Sequence, residues 1–235
     1  MSLVDARHAR AQPTHVETAI LEAARDILAT RGVEGLSMRH VAEQVGVSAT
    51  AIYHYFNGKQ DLVNRVVLSA FERFGTYLRQ AMWEHPHGSV ERIVALGEAY
   101  IRFALENQAY FRVMFNIRPE DRAALEELPD AGGYHLLRTA VEDAMRSGTI
   151  RGEVDEVSDS DADATRLPLH PDLVSMYLWS TAHGLVTLAL CGAADRCHVA
   201  GMSSVLDLYR SFLPLVAGGV APHPKNDALE QEIEK

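Results

Sequence analysis

The sequence predicts an all-α protein: an N-terminal three-helix bundle containing a helix-turn-helix, followed by a larger helical body. Three observations predict it. Apolar residues recur at helical spacing along most of the chain. Glycines, prolines and capping serines interrupt that pattern at helix-length intervals. The run from Leu36 to Val63, LSMRHVAEQVGVSATAIYHYFNGKQDLV, carries the punctuation of one helix, a tight turn, a second helix and the start of a third.

Residues 1–13 are polar, contain Arg7, His8 and Arg10, and end at Pro13. They are expected to be a flexible arm. Thr14 and Glu17, three apart, form a capping box for the first helix. Its apolar stripe is Ile20, Ala24, Ile27 and Leu28, and Gly32 and Gly35 mark the turn that follows. Ser37 caps the next helix, whose inner positions are Val41, Ala42 and Val45. Gly46 ends it, because glycine tolerates the left-handed backbone of a helix terminus. Ser48 caps the helix after that. Ile52 and Phe56 give it one buried stripe and leave Thr50, Tyr53, His54 and Tyr55 outside. In a helix-turn-helix the second helix enters the DNA major groove. Residues 14–60 are therefore expected to be a DNA-binding domain.

The body is expected over 61–218. A long helix runs from about Lys59 to His85 and stops at His85-Pro86-His87-Gly88. Ser89 caps a helix reaching about Asn107. A short helix follows around 109–117, and another from about Gly133 to Ser147. The segment 153–165, EVDEVSDSDADAT, holds six acids and almost no large apolar group. It cannot bury enough surface to offset its ordering entropy and reads as a flexible acidic loop. Pro171 to Leu190 is apolar on nearly all sides and is expected to be largely buried. The last helix spans about Ser203 to Ala217, with Pro214 expected to kink or end it. The tail, 219–235, is polar and expected to be disordered.

Residues Ser37-Met38-Arg39, Val41-Ala42, Gly46-Val47-Ser48, Tyr53-His54-Tyr55-Phe56, Lys59 and Leu62 stand in a fixed order and spacing. In that pattern the chain resembles the TetR (tetracycline-repressor) family of bacterial regulators. The segment Ile20 to Gly32 resembles the family's first helix. In the body, Trp179-Ser-Thr-Ala-His183-Gly184 resembles the Trp-His-Gly signature of one class of TetR C-terminal domain. The resemblance implies a homodimer, formed through the last two helices, that binds double-stranded operator DNA as a repressor. An activator or a ligand-free repressor fits the same residues. An interaction module that has lost DNA binding is the more distant alternative.

Candidate base or backbone contacts are Arg39, Thr50, Tyr53 and His54, and candidate phosphate contacts are Ser37, Ser48, Tyr55 and Lys59. Each has a plain structural alternative: capping for the serines, packing for Tyr53, and a solvated charge for Lys59. The family binds small molecules in its C-terminal bundle. By that resemblance Tyr100, Phe103, Phe111, Met114, Phe115, Trp179 and His183 are candidate contacts for an unknown lipophilic effector. Tyr110 belongs to the same aromatic stretch, and Arg102, Arg112, Asn116 and His135 are available polar anchors. An aromatic stripe is equally a feature of ordinary core. Trp179 and His183, four apart, share one helical face. His183 is either a ligand partner or a satisfied core histidine, and Gly184 leaves room for another helix to approach.

The formal net charge is −10, yet residues 1–60 contain six basic and six acidic side chains. The acidity therefore lies in the remainder, and DNA contact rests on a few placed cations, hydroxyls and N–H groups. Two cysteines, Cys191 and Cys197, do not make a disulfide framework, and with His198 they fall short of a four-ligand zinc site. The alternating Asp159, Asp161 and Asp163 lack the glycine and terminal glutamate of a calcium loop. No metal and no cofactor is expected. No nucleophile elbow, metal-helix or phosphate-loop motif is present, so an enzyme is not expected. No membrane-spanning run and no signal-peptide core is read, and the setting reads as cytoplasmic.

Overall fold

The computed structural model describes residues 14–116, 133–151, 169–192 and 204–220. Among these, helices and turns are present and no strand. The helices are α1 (His15–Arg31), α2 (Met38–Val45), α3 (Ala49–Tyr53), α4 (Lys59–Trp83), α5 (Val90–Glu106), α6 (Gln108–Asn116), α7 (Gly133–Arg146), α8 (Pro171–Leu190) and α9 (Val205–Val220). The expected arm, the acidic loop, Cys197 and His198 lie outside the described residues.

The chain divides into two compact units. The first comprises residues up to Gly75 together with 106–131, and the second comprises 76–105 and the chain from 132 onward. The first is larger than the expected 14–60 domain, for a physical reason. Helix α6 packs on α1, and Val113 is fully buried in the same cluster as Ile20, Val41, Ile52, Phe56 and Val63. Three short helices enclose little volume, and α4 and α6 complete the core.

Local signals set the boundaries in this unit. The Thr14 hydroxyl accepts from Glu17 N–H at 3.2 Å, and the Ser37 hydroxyl accepts from His40 N–H at 3.2 Å. Gly46 lies in the left-handed region at φ 75°, ending α2. Arg65 of α4 ties the unit together. Its guanidinium donates to Glu17 of α1 at 2.7 Å, lies 3.7 Å from Asp61, and stacks 5.2 Å from the Phe56 ring centre. Asp61 in turn accepts from the Asn57 N–H at 2.8 Å, fixing the turn between α3 and α4. Tyr110 of α6 receives Arg25 and Arg73 at 4.8 and 5.4 Å from its ring centre.

In the second unit α7 packs on α8 and α8 on α9. Tyr134 and Arg138 of α7 both reach Asp172 at the start of α8, at 3.1 and 2.7 Å. Tyr209 of α9 is buried with its ring against Gly97 of α5. Beside it, Arg210 donates two bonds to Glu98, at 2.7 and 3.1 Å.

Two expectations are corrected here. Helix α8 is not largely buried within one chain. Val174, Ser175, Leu178, Ala182, Leu185 and Val186 face the interior, but Leu173, Met176, Tyr177 and Leu188 are each about half exposed. By length and composition alone it is also apolar enough to cross a membrane, with mean hydropathy 1.3, against the expectation of no membrane-spanning run. An interior-facing stripe and a second uncovered apolar stripe together account for that value. Helix α9 runs past Pro214, as the expected end near Ala217 already allowed, and continues to Val220, two residues into the expected tail. Proline removes one helical hydrogen bond, a loss the flanking turns tolerate here.

Candidate nucleic-acid interface and effector region

The helix-turn-helix begins with two caps. The Ser48 hydroxyl accepts from Ala51 N–H at 3.1 Å, starting α3, as Ser37 starts α2. Both oxygens are engaged as acceptors, and their O–H groups stay available as donors. Helix α3 ends at Tyr53 with His54 as its cap residue, two residues before Tyr55. Ile52 is fully buried and Phe56 nearly so, and they hold the helix to the core.

The other side of α3 faces solvent. Thr50 and His54 are exposed, and Tyr53 is 57% exposed. An aromatic ring left that open on a helix whose neighbours are packed is not serving the core. Tyr55 points the other way and packs, half-buried, against the hydrophobic cluster. Lys59 is half-buried at the first position of α4. Arg39 on α2 is exposed and bonded to Glu43 at 3.0 Å. At such exposure this pair holds the side chain only loosely. The structure thus sets Arg39, Thr50, Tyr53 and His54 on open surface, puts Ser37 and Ser48 at helix starts, and gives Tyr55 a packing role.

In the body, the Tyr100 hydroxyl lies 2.7 Å from His183 Nδ1, and the Trp179 side chain hydrogen-bonds the same phenol. Burial pushes the Tyr100 phenol up and the His183 imidazole down, so both stay neutral near pH 7. A neutral imidazole with Nδ1 unprotonated accepts from the Tyr100 O–H. Trp179 also lies 5.9 Å from the Tyr134 ring centre. The Trp-x-x-x-His spacing thus joins α8 to α5 and α7. Gly184 has open space where a Cβ would stand, so among the described residues no helix approaches it closely.

Phe103, Phe111 and Met114 are buried. Tyr100 and Phe103 belong to the second unit, whereas Phe111, Met114 and Phe115 belong to the first. Of the proposed anchors, Arg102, Arg112 and His135 are exposed. The second unit holds a cavity of about 620 Å³ lined by residues of α5, α8 and α9, with His85, Thr149 and Ile150. None of the seven expected effector residues lines it. Metal-capable clusters of His, Cys, Asp and Glu are absent among the described residues, and Cys191 is exposed.

Residues 20–66 match the family described as bacterial regulatory proteins, tetR family, and residues 93–207 match the tetracyclin repressor-like C-terminal domain. The regulator UidR of Escherichia coli K12 is 34% identical over 157 residues, covering 65% of this chain and 74% of its own. The chain belongs to the TetR family. The repressor AcnR of Corynebacterium efficiens is 25% identical over 198 residues, covering 84% of this chain and 92% of its own. The solved structure of the fatty acid degradation regulator FadR from Bacillus halodurans shares the fold, with TM-score 0.63 at 18% identity over 85% of this chain and 93% of that one.

As a TetR-family member the protein is a DNA-binding transcriptional regulator and not an enzyme. What the sequence reading missed in this TetR chain is the support behind the interface. Asp61 pairs locally with both Arg65 and Asn57, each four residues away, but the long-range partner of Arg65, Glu17, does not follow from spacing. The cavity residues Ile93, Val94, Glu98, Val174, Leu178, Arg210 and Leu213 were missed as well. Nothing in a helical apolar stripe distinguishes a wall from a core.

Proposed function

We propose that the protein is a transcriptional repressor that binds a palindromic operator as a homodimer and is released by a lipophilic small molecule. The observation that carries this reading is the open face of α3, with Tyr53 at 57% exposure over a rigid core. A twofold dimer presents two such helices to successive major grooves, about 34–36 Å apart. Arg39, Thr50, Tyr53 and His54 read bases or backbone, while Ser37, Ser48, Tyr55 and Lys59 meet phosphates. Tyr55 does so with its hydroxyl edge, because its ring is partly packed.

The dimer forms through α8 and α9. The half-exposed Leu173, Met176, Tyr177 and Leu188 follow one another along α8 at helical spacing, and a monomer gains nothing by exposing them. Gly184 sits among them with open space above it, giving a partner helix room to approach. In this reading the Trp179-His183-Gly184 pattern marks the Trp-His-Gly class, with Trp179 and His183 serving the chain's own packing and Gly184 the interface. The first unit serves DNA and the second serves effector and partner, and the protein works in the cytoplasm.

A gel-shift with the DNA upstream of the protein's own gene tests the proposal. The expected result is a retarded complex that weakens when a lipophilic effector is added. Failure to retard that DNA or any palindromic fragment selected from a random pool would refute the repressor reading. Retardation insensitive to every lipophile tried would favour a ligand-free repressor, and transcription that rises on binding would make it an activator.

A further inference from the structure

The cavity of the second unit is built, not incidental. Its volume, about 620 Å³, lies within the range of small-molecule sites. Ile93, Val94, Ile150, Val174, Leu178 and Leu213 supply apolar walls from α5, the turn after α7, α8 and α9. Two neighbouring pairs join α9 to α5 here. Tyr209 seats on Gly97, and Arg210 pairs with Glu98.

That ion pair decides what the cavity accepts. Arg210 is the one arginine among the described lining residues, and its Nε and one terminal nitrogen are already bonded to Glu98. Its other terminal nitrogen lies 4.0 Å from Asp207. Glu91 also lines the cavity, so among the described residues the lining carries two carboxylates against one guanidinium and the His85 imidazole. An incoming carboxylate would have to displace Glu98 from a bidentate pair and stand near Glu91. An uncharged hydroxyl or carbonyl needs neither.

Resting on the reading that a lipophilic effector controls this protein, we propose that this cavity is the effector site and that it selects lipophiles without negative charge. The Glu98–Arg210 pair is the selectivity element, because it occupies the cation that an acidic ligand would need.

The test is a fluorescence titration of the full-length protein with Nile red, an uncharged lipophilic dye. Its competitors are 1-decanol and decanoate, one chain with two head groups. The expected result is saturable dye binding that 1-decanol displaces and decanoate does not. Val94→Trp and Ala95→Phe, both at half-buried lining positions, should lower dye affinity by about tenfold or more. Trp179→Phe should leave it unchanged. Glu98→Gln should free Arg210 and raise decanoate affinity about tenfold, the worth of one charge-assisted hydrogen bond. Circular dichroism and a thermal melt of each variant establish that it folds.

The proposal is overturned if no saturable binding occurs, or if folded Val94→Trp and Ala95→Phe bind dye like the parent. It is overturned equally if decanoate competes as well as decanol in the parent. Dye seated in the cavity with the operator complex left intact would support the site and defeat release by effector. Operator retardation that fails while the dye data hold would defeat the repressor reading alone.

Discussion

Substituting Gly97 by alanine is the sharpest perturbation of the body. An alanine Cβ at this position would stand 1.8 Å from the Tyr209 hydroxyl oxygen and 2.4 Å from the ring carbon that bears it. Helix α5 cannot yield locally, because Leu96, Ala99, Tyr100 and Ile101 are buried around it. The ring must therefore leave a place where it is 3% exposed. Re-exposing a buried aromatic costs about 1.5–3 kcal/mol, and strain in a well-packed core costs about 1–3 kcal/mol. A loss of about 3 kcal/mol lowers Tm by about 6–12 °C for a chain of this size. The assay is a thermal melt at fixed protein concentration, since dimerisation makes Tm concentration-dependent. A second readout is the phenol itself, which burial, and secondarily Glu98, push up to about 12. In Gly97→Ala it should ionise closer to the ordinary tyrosine value. Tyr209→Phe should not rescue the variant, because the ring carbon still collides. Tyr209→Leu should recover part of the loss, a non-additivity that a double-mutant cycle measures. A Gly97→Ala protein that melts with the parent and titrates like it would refute the seating of Tyr209 on α5.

The DNA-binding face, the dimer contact and His183 each give a further expected outcome. Tyr53→Ala should cost about 1–3 kcal/mol of operator binding and relax sequence preference. Lys59→Ala should weaken all sequences alike and lower the salt slope by about one, both read by gel-shift across a salt series. The parent should sediment at twice the chain mass at micromolar concentration. Met176→Glu or Leu188→Glu should halve that mass, and a variant that stays dimeric would move the interface off α8. Burial holds the His183 pKa below its ordinary 6.5. Its contribution to stability is therefore complete above about pH 6.5 and is lost as pH falls through the lower folded value. His183→Gln should flatten that acid-side decline in Tm, and an unchanged slope would place its origin elsewhere.

The parts of the fold legible in the sequence are those specified locally. Ser37, Ser48 and Gly46 bound their helices because a cap acts within one turn, and the residues around it are its whole environment. The exposed side of α3 is legible for Thr50, Tyr53 and His54, since Ile52 fixes which way the helix faces, but not for Tyr55, which lies past the helix end and packs on the core. Helix α8 was legible as a helix but not in its burial. An all-round apolar pattern does not say which face its own chain covers. The effector region was the least legible. Tyr100, Phe103, Phe111 and Met114 are aromatic or flexible apolar residues at helical spacing, and that is equally the composition of a closed core. The cavity instead depends on where α9 meets α5, a contact set by Gly97 and Tyr209 more than a hundred positions apart.

Helix α6 has a consequence for anyone who would treat this protein as two exchangeable modules. The unit that holds the helix-turn-helix is discontinuous in sequence: the chain leaves it after Gly75 and re-enters at Glu106. A hybrid regulator made by grafting residues 14–75 onto a foreign body would keep every residue of α3 yet lose Val113 and its neighbours from the core. It would also strip Arg25 and Arg73 of the Tyr110 ring they share. Such a splice would bring the right reading head on an under-filled support. A working transplant has to carry Gln108–Asn116 along, or redesign the face of α1 that it covers.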